Sequence, residues 1–143
     1  MFRLYKPIFE VCKVLFMGNI LSLIELANAK LLRDQQGTWS KGSITYYEAM
    51  FDELREVKAE IESGRQCYLE DELGDILWVY LCMLKHMEVE GKISFEQVFE
   101  RSLEKYQTRM VGMELGKSWE LIKQEQKESL KKQQLKLEEQ ESC

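Results

Sequence analysis

Residues 45–91 read TYYEAMFDELREVKAEIESGRQCYLEDELGDILWVYLCMLKHMEVEG, and the pattern of this stretch decides the fold. Its apolar residues recur every three or four positions, which is the spacing of one face of an α-helix. Thr45 and Glu48 form a capping box, the local signal for a helix start. Gly64 and Gly91 stand where a left-handed residue closes a helix. The stretch therefore predicts two consecutive helices joined by a short link.

Each of these two helices has a predicted core stripe. In the first helix the stripe consists of Tyr47, Met50, Leu54, Val57 and Ile61. In the second helix it consists of Leu69, Leu73, Ile76, Leu77, Tyr80, Leu84 and Met87. An earlier helix is predicted on the stripe Ile20, Leu23, Ile24, Ala27 and Leu31. A later one is predicted from the capping box of Ser94 and Gln97 to about Gly112.

The whole chain is predicted to be all-α, with a four-helix bundle-like fold. Only one proline, Pro7, occurs in 143 residues, so long helices are favoured over many short strands. Residues 123–143 contain five lysines, five glutamates and five glutamines against three leucines, a composition that predicts a solvated helix or a frayed tail. The expected organisation is an N-terminal extension (1–19), a helical domain (20–113) and a charged C-terminal tail (114–143).

Charge and composition exclude several classes of partner. The formal net charge of −5 is opposite in sign to what duplex nucleic acid requires of a binding protein. The longest uncharged run, residues 14–24, is too short to cross a bilayer, so no transmembrane helix is predicted.

The four cysteines lack C-x-x-C spacing and are expected to be reduced thiols, which favours the cytoplasm. Charged and polar residues interrupt the N-terminal apolar stretch and argue against a secretory signal, and residues 1–16 are compatible with an extension upstream of a start at Met17.

Two acidic pairs on the central helices are the candidate chemistry. Glu53 and Glu56 each precede a predicted core position, and Glu72 and Asp75 do the same on the next helix. If these helices pack antiparallel, the two pairs face each other, and their mutual repulsion requires a cation. Oxygen ligands without His or Cys favour Mg²⁺ or Mn²⁺ over zinc. Gly74, between Glu72 and Asp75, predicts the close approach of a ligand or of neighbouring backbone. Composition alone favours the alternative, a solvated and salt-bridged acidic surface.

The order E-x-x-E, a fifteen-residue spacer and E-x-x-D resembles the signature of MazG-like, all-α nucleoside triphosphate pyrophosphatases. Trp39 ahead of the first acidic helix and the basic residues Lys105 and Arg109 after the second extend this resemblance. It implies hydrolysis between the α and β phosphates of a nucleoside triphosphate, which gives a monophosphate and pyrophosphate. It further implies a house-cleaning role on nucleotides and a homodimer or homotetramer.

The resemblance also assigns roles to the residues that carry it. Magnesium would be held by Glu53, Glu56, Glu72 and Asp75, with Glu56 as the general base by analogy. Lys105 and Arg109, one helical turn apart, would bind the phosphate tail, and Trp39 would stack on the base. His86 is expected to be a structural histidine. Two alternatives stay open, namely a phosphoribosyl-ATP pyrophosphatase or dimeric dUTPase type of activity, and a non-catalytic helical interaction protein.

Overall fold

The computed structural model describes the backbone of residues 5–141 and the side chains of residues 13–141. Five helices account for nearly all of this part of the chain, which contains no β-strand: α1 (Tyr5–Gln36), α2 (Ser43–Ser63), α3 (Gln66–Val89), α4 (Phe95–Glu114) and α5 (Trp119–Glu141). The all-α prediction is confirmed. The chain divides into two compact units, one through Phe95 and one from Glu96.

Helix α1 begins well before the predicted start at Ile20 and runs across the expected boundary between residues 19 and 20. Pro7 lies in its first turn, where the missing backbone N–H costs no hydrogen bond. The predicted stripe is correct further along, because Ala27 and Leu31 are buried. Between them and the N-terminus the described apolar side chains, from Val14 to Leu21, are largely exposed.

One described helical segment, Lys13–Gln36, is long and apolar enough to cross a membrane by length and composition alone, with a mean hydropathy of 1.4. The sequence prediction missed this segment because it required a run of residues without any charge. Lys13–Gln36 contains a few charged residues. Its C-terminal half supplies core residues of the first unit. The expectation that the protein does not interact with a membrane therefore stays a prediction.

Helices α2 and α3 form an antiparallel hairpin that is closed by a very short turn. Gly64 adopts the left-handed conformation (φ 69°) at the end of α2, as the sequence predicts, and its N–H donates to the carbonyl of Glu60. The guanidinium of Arg65 forms an ion pair with the Glu60 carboxylate at this closed end. The link between the helices is therefore Gly64 and Arg65 alone.

The open end of the hairpin is tied by a carboxylate from the far end of α3. Glu90 accepts hydrogen bonds from the backbone N–H and the hydroxyl of Ser43, both at 2.6 Å. Lys92 forms an ion pair with the same carboxylate at 2.7 Å. The predicted local cap was wrong: α2 begins at Ser43, and the Thr45 hydroxyl accepts the N–H of Lys41 instead. The first turn of α2 is thus capped by a residue 47 positions away.

A buried carboxylate joins the three helices of the first unit. Asp34 of α1 accepts hydrogen bonds from Lys30 and from the hydroxyl of Tyr46 on α2. His86 of α3 lies within hydrogen-bonding distance of the same carboxylate, at 3.1 Å. Asp34, Tyr46 and His86 are all buried. The prediction that His86 is structural is confirmed.

The core of the hairpin is rotated relative to the predicted stripes. On α2 the predicted Val57 is buried together with Tyr46 and Glu60, whereas the predicted Tyr47, Leu54 and Ile61 are about half exposed or more. On α3 the predicted Leu84 is buried, but the predicted core residues Leu73, Leu77 and Tyr80 are exposed. On α2 polar groups that are satisfied by hydrogen bonds, those of Tyr46 and Glu60, occupy core positions that periodicity assigns only to apolar residues.

The second unit consists of α4 from Glu96 onward together with α5. The predicted tail is a helix to Glu141, mostly solvent-exposed, so the helical alternative is correct. It contacts α4 through Ile122, which is buried, at the point where Gly112 lacks a side chain. A β-carbon at Gly112 would lie 2.5 Å from the Ile122 side chain, too close for any other residue without a shift. Gly112 is therefore what allows α5 to approach α4.

Glu90→Gln is expected to destabilise the protein in a pH-dependent way. Burial by itself would raise the pKa of Glu90, but hydrogen bonds from Lys92 and Ser43 outweigh burial and lower the pKa to about 2, against an ordinary 4.5. A lowered pKa means that the carboxylate stabilises the folded chain above the unfolded-state pKa, and that this stabilisation disappears as the pH falls toward 2. The variant is expected to lose on the order of 1 kcal/mol at neutral pH.

Urea unfolding of the wild type and the variant, at neutral pH and at about pH 2.5, measures this effect. The difference between the two proteins should shrink at the lower pH. Glu62→Gln, an exposed position on α2, is the matched control and should behave like the wild type at both pH values. A pH-independent difference for Glu90→Gln would contradict the assignment of the cap.

Candidate active site

Three glutamates from the two helices of the hairpin meet between its tied ends. Glu53 and Glu56 come from α2 and Glu72 comes from α3. One carboxylate oxygen of each lies within 4.8 Å of one oxygen of each of the others. Glu53 and Glu72 are partly buried, whereas Glu56 is exposed. The antiparallel register thus brings the two predicted acidic turns together.

Two carboxylates of this acidic group are partly buried, and all three lie close to one another. Burial raises the pKa of Glu53, and the charges of Asp75, Glu56 and Asp52 raise it further. Burial also raises the pKa of Glu72, followed by its hydrogen-bonding contact with Glu56 and by the charges of Glu56, Asp75 and Asp71. Each charge therefore makes the ionisation of its neighbours less favourable.

One oxygen in the group has no protein partner. Glu72 Oε2 is buried and accepts no hydrogen bond from any residue that the structure describes. A buried carboxylate oxygen without a donor costs free energy, and a cation would remove this cost. The donor set contains only oxygen atoms, which fits Mg²⁺ or Mn²⁺ and does not favour zinc. The residues present therefore suit a divalent metal ion.

Asp75 and Asp52 lie near this group without belonging to it. Asp75 is exposed and acts on Glu53 and Glu72 through its charge, but its oxygens are not among those within 4.8 Å of all the others. Asp52 instead forms an exposed ion pair with Arg55, one turn along α2. The structure thus assembles three of the four predicted ligands and keeps the fourth close by.

Gly74 does not serve the packing role that its position suggests. A β-carbon built there would meet no heavy atom within 4 Å. The predicted close approach of neighbouring backbone is therefore wrong among the described residues. The open space lies on the exposed side of α3, between Glu72 and Asp75.

The basic pair belongs to the second unit and has no acidic partner there. Lys105 and Arg109 lie one turn apart on α4, and neither forms an ion pair with any described residue. Arg109 instead contacts the rings of Tyr106 and Trp119, at 5.3 and 4.8 Å from its guanidinium carbon. Ordinary salt bridging therefore does not account for these two cations.

Trp39 lies in the loop between α1 and α2 and is 64% exposed. Its ring packs edge-on against Tyr46, with 5.9 Å between centroids, and the Lys30 ammonium lies 4.4 Å from its centre. Trp39 and Lys30, together with Arg33, Asp34 and Gly37, line a cavity of about 200 Å³. The loop thus presents an accessible aromatic face beside two cations.

No local sequence pattern identified the residues that hold the hairpin and the basic pair in place. Asp34 and Glu90 were not singled out, because their partners are distant in sequence. Trp119, which contacts Arg109, lies just before the stretch 123–143, whose composition indicates only solvation. One local signal was available for Asp34. It is an acidic residue that follows Ala27 and Leu31 at helical spacing, in an otherwise apolar stripe.

The family of the chain follows from a comparison with protein-family models. The model of the MazG nucleotide pyrophosphohydrolase domain matches residues 41–112, which is half of the chain. The match contains α2, α3 and most of α4, and therefore the acidic group and both basic residues. Searches of curated proteins and of solved structures returned no match. The chain belongs to the MazG nucleotide pyrophosphohydrolase domain family, as its acidic signature predicts.

Proposed function

We propose that this protein is a magnesium-dependent nucleotide pyrophosphohydrolase that splits nucleoside triphosphates into a monophosphate and pyrophosphate. The observation that carries the proposal is the convergence of Glu53, Glu56 and Glu72 around a buried oxygen without a donor. Membership of a family that is typically dependent on a divalent metal supports it. Manganese is an alternative ion for the same oxygen ligands.

The acidic group supplies the ligands and the base of the proposed reaction. Glu53, Glu56 and Glu72 would hold the metal, with Asp75 joining them from the adjacent turn. A bound divalent ion supplies charge neutralisation of phosphate oxygens and activation of water. Glu56 is exposed and can therefore reach a solvent molecule, so it is the candidate acceptor of the proton that water loses on adding across the α–β anhydride.

Substrate binding is assigned to residues outside the acidic group. Lys105 and Arg109 would contact the phosphate tail, whose negative charge they would neutralise in the bound substrate. Trp39 would stack on the base, which its exposed ring allows. A house-cleaning role on nucleotides in the cytoplasm accords with this chemistry. The described cysteines, Cys67 and Cys82, are free thiols.

The decisive experiment measures pyrophosphate release over a panel of standard and damaged nucleoside triphosphates, with and without magnesium. The wild type is expected to release pyrophosphate from at least one of them and to gain thermal stability with the metal. Glu72→Gln should lose both responses, with a rate reduction of about 100-fold or more, because it removes a charged ligand. The same panel separates the phosphoribosyl-ATP and dUTP alternatives.

Glu70→Gln is the matched control for this variant. Glu70 is exposed on the same helix, two residues before Glu72, and its carboxylate interacts with Gln66. It should retain the wild-type rate and the thermal response to magnesium. A wild-type chain that is indifferent to metal and releases no pyrophosphate would instead favour the non-catalytic interaction protein.

We also propose that the protein forms a homodimer or homotetramer. Tyr47, Phe51 and Leu54 on α2, each 45 to 49% exposed, form an apolar stripe one residue out of phase with the buried one. Leu73 and Leu77 are similarly exposed on α3. These apolar residues alternate with the acidic group along the same helical turns. A second copy of the chain packed on this face would therefore enclose one side of the proposed site.

Light scattering is expected to give a mass of two or four chains. Leu54→Glu should shift it toward a monomer, because a charge would replace apolar contact area at the interface. Leu32→Glu is the control, since Leu32 is 60% exposed on a different helix and should not affect the mass. A wild-type monomer at micromolar concentration would contradict the proposal.

A further inference from the structure

Arg109 is held in one orientation by the C-terminal helix. Its Nε donates a hydrogen bond to Gln126 Oε1 of α5 at 2.9 Å. Its guanidinium lies against the Trp119 ring of α5 and against Tyr106 of its own helix. Arg109 and Gln126 are both partly buried, so this contact is shielded from solvent. A glutamine and two aromatic rings therefore constrain a long and otherwise flexible side chain.

Gln126 contacts both positions of the basic pair. While its Oε1 accepts from Arg109, its Nε2 donates to the backbone carbonyl of Lys105 at 2.9 Å. The two ends of one amide thus span the helical turn that carries Lys105 and Arg109. This arrangement couples the position of α5 to the direction of the arginine side chain.

The bonds to α5 leave the phosphate-binding end of Arg109 available. Among the described residues, no hydrogen bond or ion pair engages its Nη1 or Nη2. These two nitrogens form the planar fork that binds phosphate oxygens in pairs. A fork that is already oriented loses less conformational entropy when an anion binds.

We propose that Gln126 and Trp119 are positioning residues, which orient Arg109 toward the polyphosphate tail of the substrate. The inference rests on the proposed function, because it takes Arg109 as a phosphate ligand. Both residues lie beyond the family match, which ends at residue 112. The charged C-terminal helix is therefore part of the substrate-binding machinery of this chain and not only a solvated appendage.

The chain contains a matched control for Gln126. Gln133, two turns further along α5, accepts a hydrogen bond from the guanidinium of Arg101 on α4, also at 2.9 Å. Gln126→Ala and Gln133→Ala therefore each remove one amide–arginine bond between the same two helices, and Gln126→Ala also removes the bond to the Lys105 carbonyl. Only the first affects the basic pair. A difference between them measures positioning and not the general loss of a contact between α4 and α5.

Two readouts test the proposal, namely steady-state hydrolysis and the binding of inorganic tripolyphosphate. Gln126→Ala is expected to raise KM and the tripolyphosphate Kd by about tenfold with little change in kcat, since the lost bond acts equally on ground and transition states. Gln133→Ala should leave both values unchanged. Trp119→Leu should resemble Gln126→Ala, and Trp119→Phe, which keeps a ring under the cation, should be closer to the wild type.

A double-mutant cycle separates positioning from a structural role. Lysine has no nitrogen equivalent to Nε, so Arg109→Lys removes the bond to Gln126 while keeping the charge. In that background Gln126→Ala should have no further effect on the tripolyphosphate Kd. Equal effects of Gln126→Ala in both backgrounds would overturn the proposal, because they would show that Gln126 acts independently of Arg109.

The remaining outcomes are also decisive. Equal behaviour of Gln126→Ala and Gln133→Ala would overturn the positioning role, as would a wild type that does not bind tripolyphosphate. A wild type that binds tripolyphosphate through Arg109 but releases no pyrophosphate from any nucleotide would overturn the proposed function alone. In that case the binding data would still decide the role of Gln126.

Discussion

The antiparallel register of α2 and α3 is the constraint on which the candidate site depends. Glu53, Glu56 and Glu72 have oxygens within 4.8 Å of one another, and each ionised pair at that distance costs about 3 kcal/mol at an effective dielectric of about 20. The hairpin has to hold the carboxylates together against this repulsion. It does so because both of its ends are fixed. Gly64 and Arg65 close one end, and Glu90 ties the first turn of α2 at the other.

Helix α1 stabilises this register from outside the hairpin. Asp34 bonds to Tyr46 on α2 and contacts His86 on α3, so one buried carboxylate links both hairpin helices to a third. Tyr46 and His86 pack directly on each other, with 5.0 Å between ring centroids. A slip of the hairpin by one turn would separate these rings and deprive Asp34 of a partner on α2 or α3. Buried polar bonds of this kind specify one register where apolar contacts alone would tolerate several.

Local signals predicted the elements of this fold better than they predicted its packing. Gly64 and the acidic spacing were sufficient to predict the hairpin and its acidic group, because both depend on residues close in sequence. The phase of the core was not predictable, since α2 carries apolar residues on two neighbouring faces. Hydrogen bonds to distant Asp34 decided in favour of Tyr46 over Tyr47. The cap of α2 was missed for the same reason, because it comes from Glu90 on α3.

The acidic group and the basic residue Arg109 therefore differ in how the sequence determines their geometry. The acidic group follows from the spacing of its residues along two joined helices, whose register Glu90 and Asp34 then fix. The direction of Arg109 is set by Gln126 and Trp119, whose own neighbours carry no recognisable pattern. Substitutions in α5 can thus alter anion binding while the acidic signature stays intact. A family match over residues 41–112 consequently reports on the acidic group more directly than on the orientation of Arg109.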